Sequence, residues 1–256
     1  AESYDGDGVT ITDSNSDGVP DKPSSSLLRA RSTTSYDDQA RPYATFTFSV
    51  NQSTGAVSST SLATNLWYGR RGQVLKTSAP GGLVGKAEYD GAARVSKRFL
   101  TDAGGDTAWS DAANVTGDAV LEQSETTYDA DSNPIMVTAR QRFHDETATG
   151  ALANPTTAPK ARVSYATAYY DKANRLTASV NVGTNARTAY TRPSTVPSRS
   201  DTVLVTSQSY NTAGWVSSII DPRAIEDRLT YDNLGRTTKT IEAYADGTPD
   251  GGSDKT

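Results

Sequence analysis

Polar and apolar residues alternate along many short stretches of this 256-residue chain. Residues 176–180 (Leu-Thr-Ala-Ser-Val) and residues 228–231 (Arg-Leu-Thr-Tyr) show this period of two. Alternation in segments containing Val, Ile, Thr and Tyr is typical of half-buried β-strands. No stretch of twelve or more residues keeps a helical period. The pattern therefore predicts an all-β fold.

A short motif, Tyr followed by Asp or by a close variant, recurs eight times along the chain. The fourth residue after each Tyr is Gly, Ala, Ser or Asn, and the fifth residue is Arg in four of the eight copies. Self-similarity with matching offsets indicates a repeat architecture. The repeat tyrosines are Tyr4, Tyr36, Tyr68, Tyr89, Tyr128, Tyr170, Tyr210 and Tyr231.

Each copy of the motif has the composition of a turn that joins two strands of a β-hairpin. The Asp can accept a hydrogen bond from the backbone N–H two residues on, and the fourth residue after Tyr suits left-handed backbone. We expect the Arg to lie on the following strand, with its stem over neighbouring rings and its head on carboxylates. The residues assigned to these roles are Asp90, Asp129, Asp171, Asp232, Arg94, Arg175 and Arg236.

The intervals between successive repeat tyrosines range from 21 to 42 residues. Three intervals are close to twice 21, which favours pairs of units in which the middle motif has eroded. Trp109–Asp111, Phe143–Asp145 and Tyr190–Arg192 are the candidates for eroded motifs. On this interpretation, the chain holds up to eleven hairpins.

We divide the chain into three parts. Residues 1–35 hold the first motif and an insertion rich in Asp and Gly, residues 36–244 form the hairpin array, and residues 245–256 are a polar linker or the start of another repeat. Polar stretches with Pro or Gly predict loops inserted in the array. These loops are expected near residues 103–118, 144–160 and 187–200.

The motif resembles the YD-repeat family, also called Rhs repeats, whose pattern is roughly Tyr-Asp-x-x-Gly-Arg-Leu with Asp-Pro-x-Gly between units. The segment that resembles it most is Tyr210–Thr240, which contains Asp221-Pro222-Arg223 and then Tyr-Asp-Asn-Leu-Gly-Arg. The resemblance extends from Tyr4 to about Tyr244. The chain departs from the pattern where Gly69 replaces Asp, where Trp215 replaces Arg, and where Ala224 replaces the usual Gly.

This resemblance implies a long antiparallel sheet that spirals into an open sheet or a shell segment. Members of the family form bacterial toxin cages, wall-associated proteins and animal teneurins. Eight to eleven hairpins are too few to close a chamber, and an open sheet exposes unpaired edges. We therefore expect a segment of a longer protein or a stacking subunit. Its partners are then further repeats of the same polypeptide or identical subunits, joined at sheet edges.

Composition excludes several classes of function. Leu, Ile, Val and Phe make up about 16% of the chain, which is low for a globule, but the net charge is only −5. The chain has no Cys and a single His, His144, so thiolate metal sites, disulfides and two-His zinc motifs are excluded. No apolar run is long enough for a membrane span, and scattered basic residues argue against a nucleic-acid partner.

One segment has the composition of a calcium loop. Oxygen-bearing side chains at alternate positions before Gly18 suit Ca²⁺, which takes six to eight oxygen ligands. An EF-hand would need Glu where Ser24 stands, so the segment is closer to other Asp-rich calcium loops. The alternative is a solvated, turn-forming insertion. The candidate ligands are Asp13, Asn15, Asp17 and Asp21, with Asp5 and Asp7 preceding them.

We find no motif of an enzyme. The acidic residues concentrate in predicted turns, and neither a nucleophile elbow nor a phosphate-binding loop is present. We expect no cofactor other than the candidate calcium ion. The leading hypothesis is a non-enzymatic structural segment of a secreted or surface-exposed bacterial protein, which forms a β-shell wall or a fibre unit. The alternatives are part of a toxin-encapsulating cage, or an adhesin that binds sugars or a receptor through Trp109 or Trp67.

Overall fold

The computed structural model describes residues 1–6 and 9–245. These residues form fifteen strands in one antiparallel sheet, whose strand order follows the order along the chain. The predicted all-β fold of antiparallel hairpins is confirmed. Asp7, Gly8 and residues 246–256 lie outside the described ranges. The strands are β1 (Glu2–Tyr4), β2 (Leu28–Tyr36), β3 (Pro42–Val50), β4 (Val57–Tyr68), β5 (Val74–Ser78), β6 (Val84–Tyr89), β7 (Val95–Thr101), β8 (Val120–Tyr128), β9 (Pro134–Arg142), β10 (Ala161–Tyr170), β11 (Leu176–Gly183), β12 (Leu204–Tyr210), β13 (Val216–Ile220), β14 (Glu226–Tyr231) and β15 (Thr237–Ile241).

Helical structure in the described part of the chain is limited to three short 3₁₀ segments. They are Ser25–Leu27, Trp109–Ala113 and Asn185–Arg187. Across the described ranges, none of these segments has the length and apolar character that crossing a membrane as a helix requires.

Seven hairpins share one construction. Each even-numbered strand ends at a repeat tyrosine, and the next strand begins six residues later. In six of these pairings the register shifts by one residue immediately before the tyrosine, as it does between Ser35 and Tyr36. A bulge of this kind bends the strand and increases its twist as it enters the turn. The motif predicted from sequence therefore marks a fixed structural unit.

The fourth residue after each of these seven tyrosines has left-handed backbone, as the sequence predicts. Only Gly adopts this conformation without a steric cost, and Asn tolerates it better than most other residues. The residues are Ala40 (φ 58°), Gly72 (φ 82°), Ala93 (φ 62°), Ser132 (φ 71°), Asn174 (φ 59°), Gly214 (φ 88°) and Gly235 (φ 79°).

The two margins of the sheet differ because the strands run up and down in chain order. Every tyrosine turn lies at one margin, which we call the tyrosine margin. The connections at the opposite margin include the three longest in the array, residues 102–119, 143–160 and 184–203. Insertions at that margin leave the tyrosine turns unchanged.

The three candidates for eroded motifs all fall in these long connections, so the expectation of lapsed hairpins is wrong. Trp109–Asp111 lies within a 3₁₀ segment, and the other two candidates lie in loops between strands. The long intervals arise from loops that fold back over the sheet. Interval length alone does not distinguish such a loop from a second hairpin.

The chain divides into two compact units. One holds Ala1–Glu88 and Leu100–Ala119, and the other holds Tyr89–Phe99 and the chain from Val120 onward. In the first unit the buried apolar residues include Leu28, Ala44 and Val84 of the strands, together with Ala112 and Val115 of the 102–119 loop. The loop therefore supplies part of the core.

In the second unit the two faces of the sheet differ. Thr167 pairs with Val180, Tyr169 with Ala178, and Val180 with Val205, so these buried side chains share one face. Tyr165, Tyr190 and Val203 pack against the same cluster. The opposite face carries small or polar residues such as Ser164, Ala166, Ser179 and Asn181, together with Val137 and Leu204, and all of them are exposed or half-buried. One face is thus covered by loops, and the other is bare.

Candidate functional site

The carboxylate of the motif organises each turn. In the turn after Tyr170, Asp171 Oδ1 accepts hydrogen bonds from the backbone N–H groups of Ala173 (2.8 Å) and Arg175 (3.0 Å). Its Oδ2 accepts from Arg175 Nε at 2.8 Å. The Arg175 guanidinium and backbone N–H lower the pKa of the Asp171 carboxyl below its ordinary value. The same bonds form at Asp37, Asp90 and Asp232.

The arginine of one turn stacks on the tyrosine that ends the first strand of the next hairpin. The guanidinium carbon lies 4.5 Å from the ring centre for Arg41 on Tyr68 and for Arg94 on Tyr128. It lies 4.3 Å from the ring centre for Arg175 on Tyr210. A cation over an aromatic face is attracted to the ring. Arg lies at the end of the turn, one residue before the strand begins, which corrects the expected position on the strand.

The hydroxyl of the tyrosine makes a second contact with the preceding turn. It donates to the carbonyl oxygen of the residue six positions after the preceding repeat tyrosine, which is the first residue of that hairpin's second strand. The pairs are Tyr68 with Pro42 (2.7 Å), Tyr128 with Val95 (2.9 Å), Tyr170 with Pro134 (3.2 Å), Tyr210 with Leu176 (2.7 Å) and Tyr231 with Val216 (2.8 Å).

We call these repeated contacts between adjacent turns the turn ladder. Its members are the repeat tyrosine, the turn carboxylate, and the fifth residue after the tyrosine, which contacts the next repeat tyrosine. Further bonds join adjacent turns. Arg94 donates to the Asp129 carbonyl at 3.1 Å and to Ser132 Oγ at 3.0 Å. Asn133 donates to Asp129 Oδ2 at 3.0 Å and to Asn174 Oδ1 at 2.9 Å. The Asn133 bond lowers the pKa of Asp129.

The departures from the family pattern keep the turn geometry. Trp215, which stands where Arg is usual, places its ring centre 5.3 Å from that of Tyr231. An aromatic pair thus replaces the cation–ring pair. Gly69 keeps the backbone bond to Gln73 (2.8 Å) without a carboxylate. Asp221 accepts from the N–H groups of Arg223 and Ile225, and Ala224 has a φ of 67°, so this link turn copies the tyrosine turn.

The remaining predicted repeat residues have other surroundings. The Tyr4 hydroxyl donates to Glu2 Oε2 at 2.6 Å. Tyr36 is 61% exposed. Arg236 bonds its own Asp232, but its side chain is 75% exposed. Tyr89 ends β6 at the same place in the hairpin as the other repeat tyrosines.

A buried ionic cluster, which no motif or spacing in the sequence predicts, anchors the 102–119 loop. Lys86 Nζ lies 2.5 Å from Asp106 Oδ1 and 2.7 Å from Asp118 Oδ2. Lys76 Nζ lies 2.5 Å from Asp106 Oδ2. Two ammonium and two carboxylate charges balance in a site where the Lys86 side chain is 2% exposed. Removing one partner of such a cluster leaves a buried charge unpaired, which is strongly destabilising.

The cluster also reaches the loop backbone. Lys86 donates to the carbonyl oxygens of Asp111 (3.1 Å) and Asn114 (2.8 Å), and Asp118 Oδ1 accepts from the Gly105 N–H at 3.2 Å. A Cβ at Gly105 would lie 2.2 Å from the Thr116 carbonyl oxygen, so only Gly fits where the loop crosses itself. The 3₁₀ segment that begins at Trp109 is therefore held in a fixed position.

The candidate calcium ligands lie in an exposed loop between β1 and β2. Asp13 accepts from the N–H groups of Asp17 (3.2 Å) and Gly18 (3.0 Å), and Asp21 Oδ2 accepts from Ser14 N–H (2.9 Å). Asn15 donates to Asp17 Oδ2 at 2.8 Å. Within the described ranges, no three or more acidic or His side chains are grouped as a metal site. Calcium binding at these residues stays a prediction.

Comparison with known proteins gives matches to solved structures only. No family model matches the chain. No curated protein matches it either. A chain of the Photorhabdus luminescens Tc holotoxin pore is 13% identical, with a TM-score of 0.24, over 84% of this chain and 13% of that one.

Two related structures match in the same way. The TcdB2-TccC3-Cdc42 complex is 11% identical, with a TM-score of 0.25, over 88% of this chain and 15% of that one. The TcdB2-TccC3 structure is 14% identical, with a TM-score of 0.22, over 84% of this chain and 14% of that one. The chain thus spans 13–15% of the length of these three chains.

Proposed function

We propose that this chain is a non-enzymatic wall segment of a larger, secreted or surface-exposed bacterial YD-repeat protein. We further propose that the wall belongs to a toxin-encapsulating cage. The observation that carries the proposal is the turn ladder, because a tyrosine hydroxyl joins adjacent hairpins at five junctions, and at three of these an arginine also stacks on the tyrosine ring. A sheet built this way extends by adding copies of one unit, and its stability depends on contacts between neighbours.

The partners of such a segment are further repeats of the same polypeptide or identical subunits. An open antiparallel sheet has a first and a last strand, whose outer backbone groups can pair with another strand. A spiral or a shell is then the form that we expect of the complete protein.

The difference between the two faces supports a cage over a fibre that assembles by stacking its faces. In the second unit, one face is packed under loops, and the other presents small and polar residues such as Ser179 and Asn181. Small and polar side chains on an exposed face reduce its adhesion to other proteins. Such a face suits the inside of a container. A fibre assembled by stacking its faces would need apolar residues there.

The ionised state of the turn carboxylates supports a structural role. The turn carboxylates Asp37, Asp90, Asp171 and Asp232 are held ionised by guanidinium and backbone N–H donors, which lower their pKa values. A general acid needs a raised pKa and a proton at neutral pH. These carboxylates have the opposite properties, and their hydrogen bonds are used within the turns.

Electron microscopy of the full-length protein tests this proposal. Hollow particles that enclose additional density would support the cage. Filaments would overturn the cage but keep the structural role, and isolated monomers without a continuous sheet would overturn both. The double variant Asp171→Ala/Arg175→Ala is expected to reduce the fraction of closed particles. The double variant Asp232→Ala/Arg236→Ala, which removes a turn pair that is more exposed, serves as the matched control.

A further inference from the structure

A cleft on the first unit has the chemistry of a ligand site. It lies on the face of the sheet that carries Trp67, Lys76 and Lys86, which are paired across neighbouring strands. The ionic cluster anchors the 102–119 loop over this face and fixes Trp109 at the rim of the cleft. The ionic cluster therefore holds Trp109 in a fixed position.

The cleft has a volume of about 410 Å³. Binding sites for small molecules occupy roughly 300–1,000 Å³. The residues that line the cleft are Asp37, Arg41, Tyr43, Asn65, Leu66, Trp67, Tyr68 and Trp109.

Two indole rings line this cleft. The Trp109 side chain is 58% exposed, which is a large apolar surface to leave in water. The Trp67 ring is half-buried, with Lys76 Nζ 4.4 Å from its centre. No hydrogen bond within the described residues uses either indole N–H. Each Trp therefore offers an apolar ring and a free donor, the combination found at ligand and interface sites.

The polar groups of the cleft are neutral overall. Asp37 and Arg41 both line it, but they pair at 2.7 Å, so their charges cancel. The half-buried amide of Asn65 also faces the same side of the sheet as Trp67, since the two residues are two positions apart on β4. Among the described residues, no hydrogen-bond partner is found for the Asn65 side chain. The amide can accept two hydrogen bonds and donate two.

We propose that this cleft binds a neutral saccharide, an activity that goes beyond a wall segment. A sugar ring has an apolar C–H face that packs on an indole, and hydroxyl groups that need donors and acceptors around its edge. Trp67 and Trp109 supply the rings, and Asn65 supplies the amide. An anionic ligand would find no unpaired cation, because Arg41 is held by Asp37 and Lys76 by Asp106.

The experiment is a titration of the 256-residue chain carrying Trp215→Phe, so that the two remaining tryptophans both lie in the cleft. The probes are maltose, cellobiose and N,N′-diacetylchitobiose, with digalacturonic acid as the charged comparison. We expect a saturable change in tryptophan fluorescence for at least one neutral disaccharide. Trp109→Ala and Asn65→Ala should each weaken binding by roughly tenfold. Trp109→Tyr, which keeps an aromatic ring, should recover part of the affinity.

The control variant is Leu234→Ala, which removes a side chain that is 77% exposed, in a turn outside the cleft. Its affinity should equal that of the parent protein, and circular dichroism should show that every variant is folded. No saturable binding to any neutral probe overturns the proposal. Equal binding by parent and Trp109→Ala also overturns it, as does binding of the charged probe alone. Self-association through the cleft, detected by sedimentation and lost in Trp109→Ala, overturns it in favour of a second copy as the occupant.

Discussion

The Arg41 guanidinium carbon lies 4.5 Å from the centre of the Tyr68 ring, although 27 residues separate the two along the chain. The same relationship joins Arg94 to Tyr128 and Arg175 to Tyr210. In each case the arginine also holds the carboxylate of its own turn. One side chain therefore closes a turn and contacts the next hairpin, which makes it the residue whose loss should matter most.

Arg175→Ala should lower the free energy of unfolding, because it removes both the ion pair with Asp171 and the stack on Tyr210. The matched control is Arg236→Ala, which breaks an equivalent pair with Asp232 in a more exposed turn and should therefore cost less stability than Arg175→Ala. Urea denaturation measures both values. Equal losses of unfolding free energy in the two variants would show that the stack on the Tyr210 ring adds nothing to stability.

Tyr128→Phe should cost about 1 kcal/mol of unfolding free energy, because the Val95 carbonyl loses the hydroxyl that donates to it while the ring stays in place. Tyr36→Phe is the control, since the Tyr36 side chain is 61% exposed and makes no hydrogen bond within the described residues. Its stability should be unchanged in the same denaturation experiment. If Tyr128→Phe were as stable as the parent protein, the hydroxyl bond would contribute nothing to the stability of the turn ladder.

Ala93→Gly should stabilise the protein by roughly 0.5–1 kcal/mol, since Ala93 has a φ of 62° and a Cβ is costly there. Ala178→Gly, at a buried strand position, should destabilise it by about 1 kcal/mol or more. Thermal unfolding of the two variants should therefore shift in opposite directions. A lower melting temperature for Ala93→Gly would contradict the strain argument.

Stability should fall in acid. The turn carboxylates Asp37, Asp90, Asp171 and Asp232 have pKa values below the ordinary value of 3.8 in the folded protein. A lowered pKa contributes stability that is present above the unfolded pKa and is lost as the pH falls through the folded pKa. Unfolding free energy should therefore be constant above about pH 5 and should decrease below about pH 4.

Asp171→Asn isolates one of these groups. Asn keeps an oxygen for the backbone N–H donors but loses the charge that pairs with Arg175. The variant should be less stable than the parent at pH 6, and the difference should shrink towards pH 2.5 as the parent carboxyl takes up its proton. A difference that stays constant with pH would show that the Asp171 charge is unimportant.

Calcium is predicted to bind weakly to Asp13, Asn15, Asp17 and Asp21. Their side chains already satisfy backbone N–H groups of the same loop, so ligation must compete with those bonds. We expect a dissociation constant of roughly 10⁻⁴–10⁻³ M in calorimetry with CaCl₂. Asp17→Asn should abolish the heat, with Asp145→Asn as a control in another loop. If the parent protein gave no heat with CaCl₂, the segment would be a solvated, turn-forming insertion and not a calcium site.

The local parts of this structure could be predicted from sequence because the turn is encoded within six residues. Asp at its first position and a residue such as Asn174 or Gly214 at its left-handed position determine the backbone without help from elsewhere. The target of the Tyr128 hydroxyl was not predictable in this way, since its acceptor lies 33 residues earlier. Such acceptors are identified only by their constant position, six residues after the preceding repeat tyrosine, and this regularity is visible only once the strands are known.

The buried cluster escaped prediction for a related reason. Lys86 is followed along the chain by acidic residues at many distances, and no spacing singles out Asp106 and Asp118. A signal was nevertheless present, because Lys86 shares the inward phase of β6 with buried Val84. A lysine at an inward strand position needs a carboxylate partner. The carboxylate of the 90–94 turn is used within that turn, and the partners of Lys86 come from the following connection, residues 102–119.

The hydroxyl contacts of the turn ladder span between 15 and 36 residues of sequence, yet the geometry of the contact is constant. The tyrosine margin thus keeps its register whatever the opposite margin carries. A segment that replaced the 143–160 or the 184–203 loop would have to supply the core contacts of Leu152 or of Tyr190 and Val203, but no tyrosine turn would need to change. In this sense the array is a display scaffold. The tyrosine margin holds adjacent hairpins in register, and the opposite margin carries loops whose length and sequence can vary.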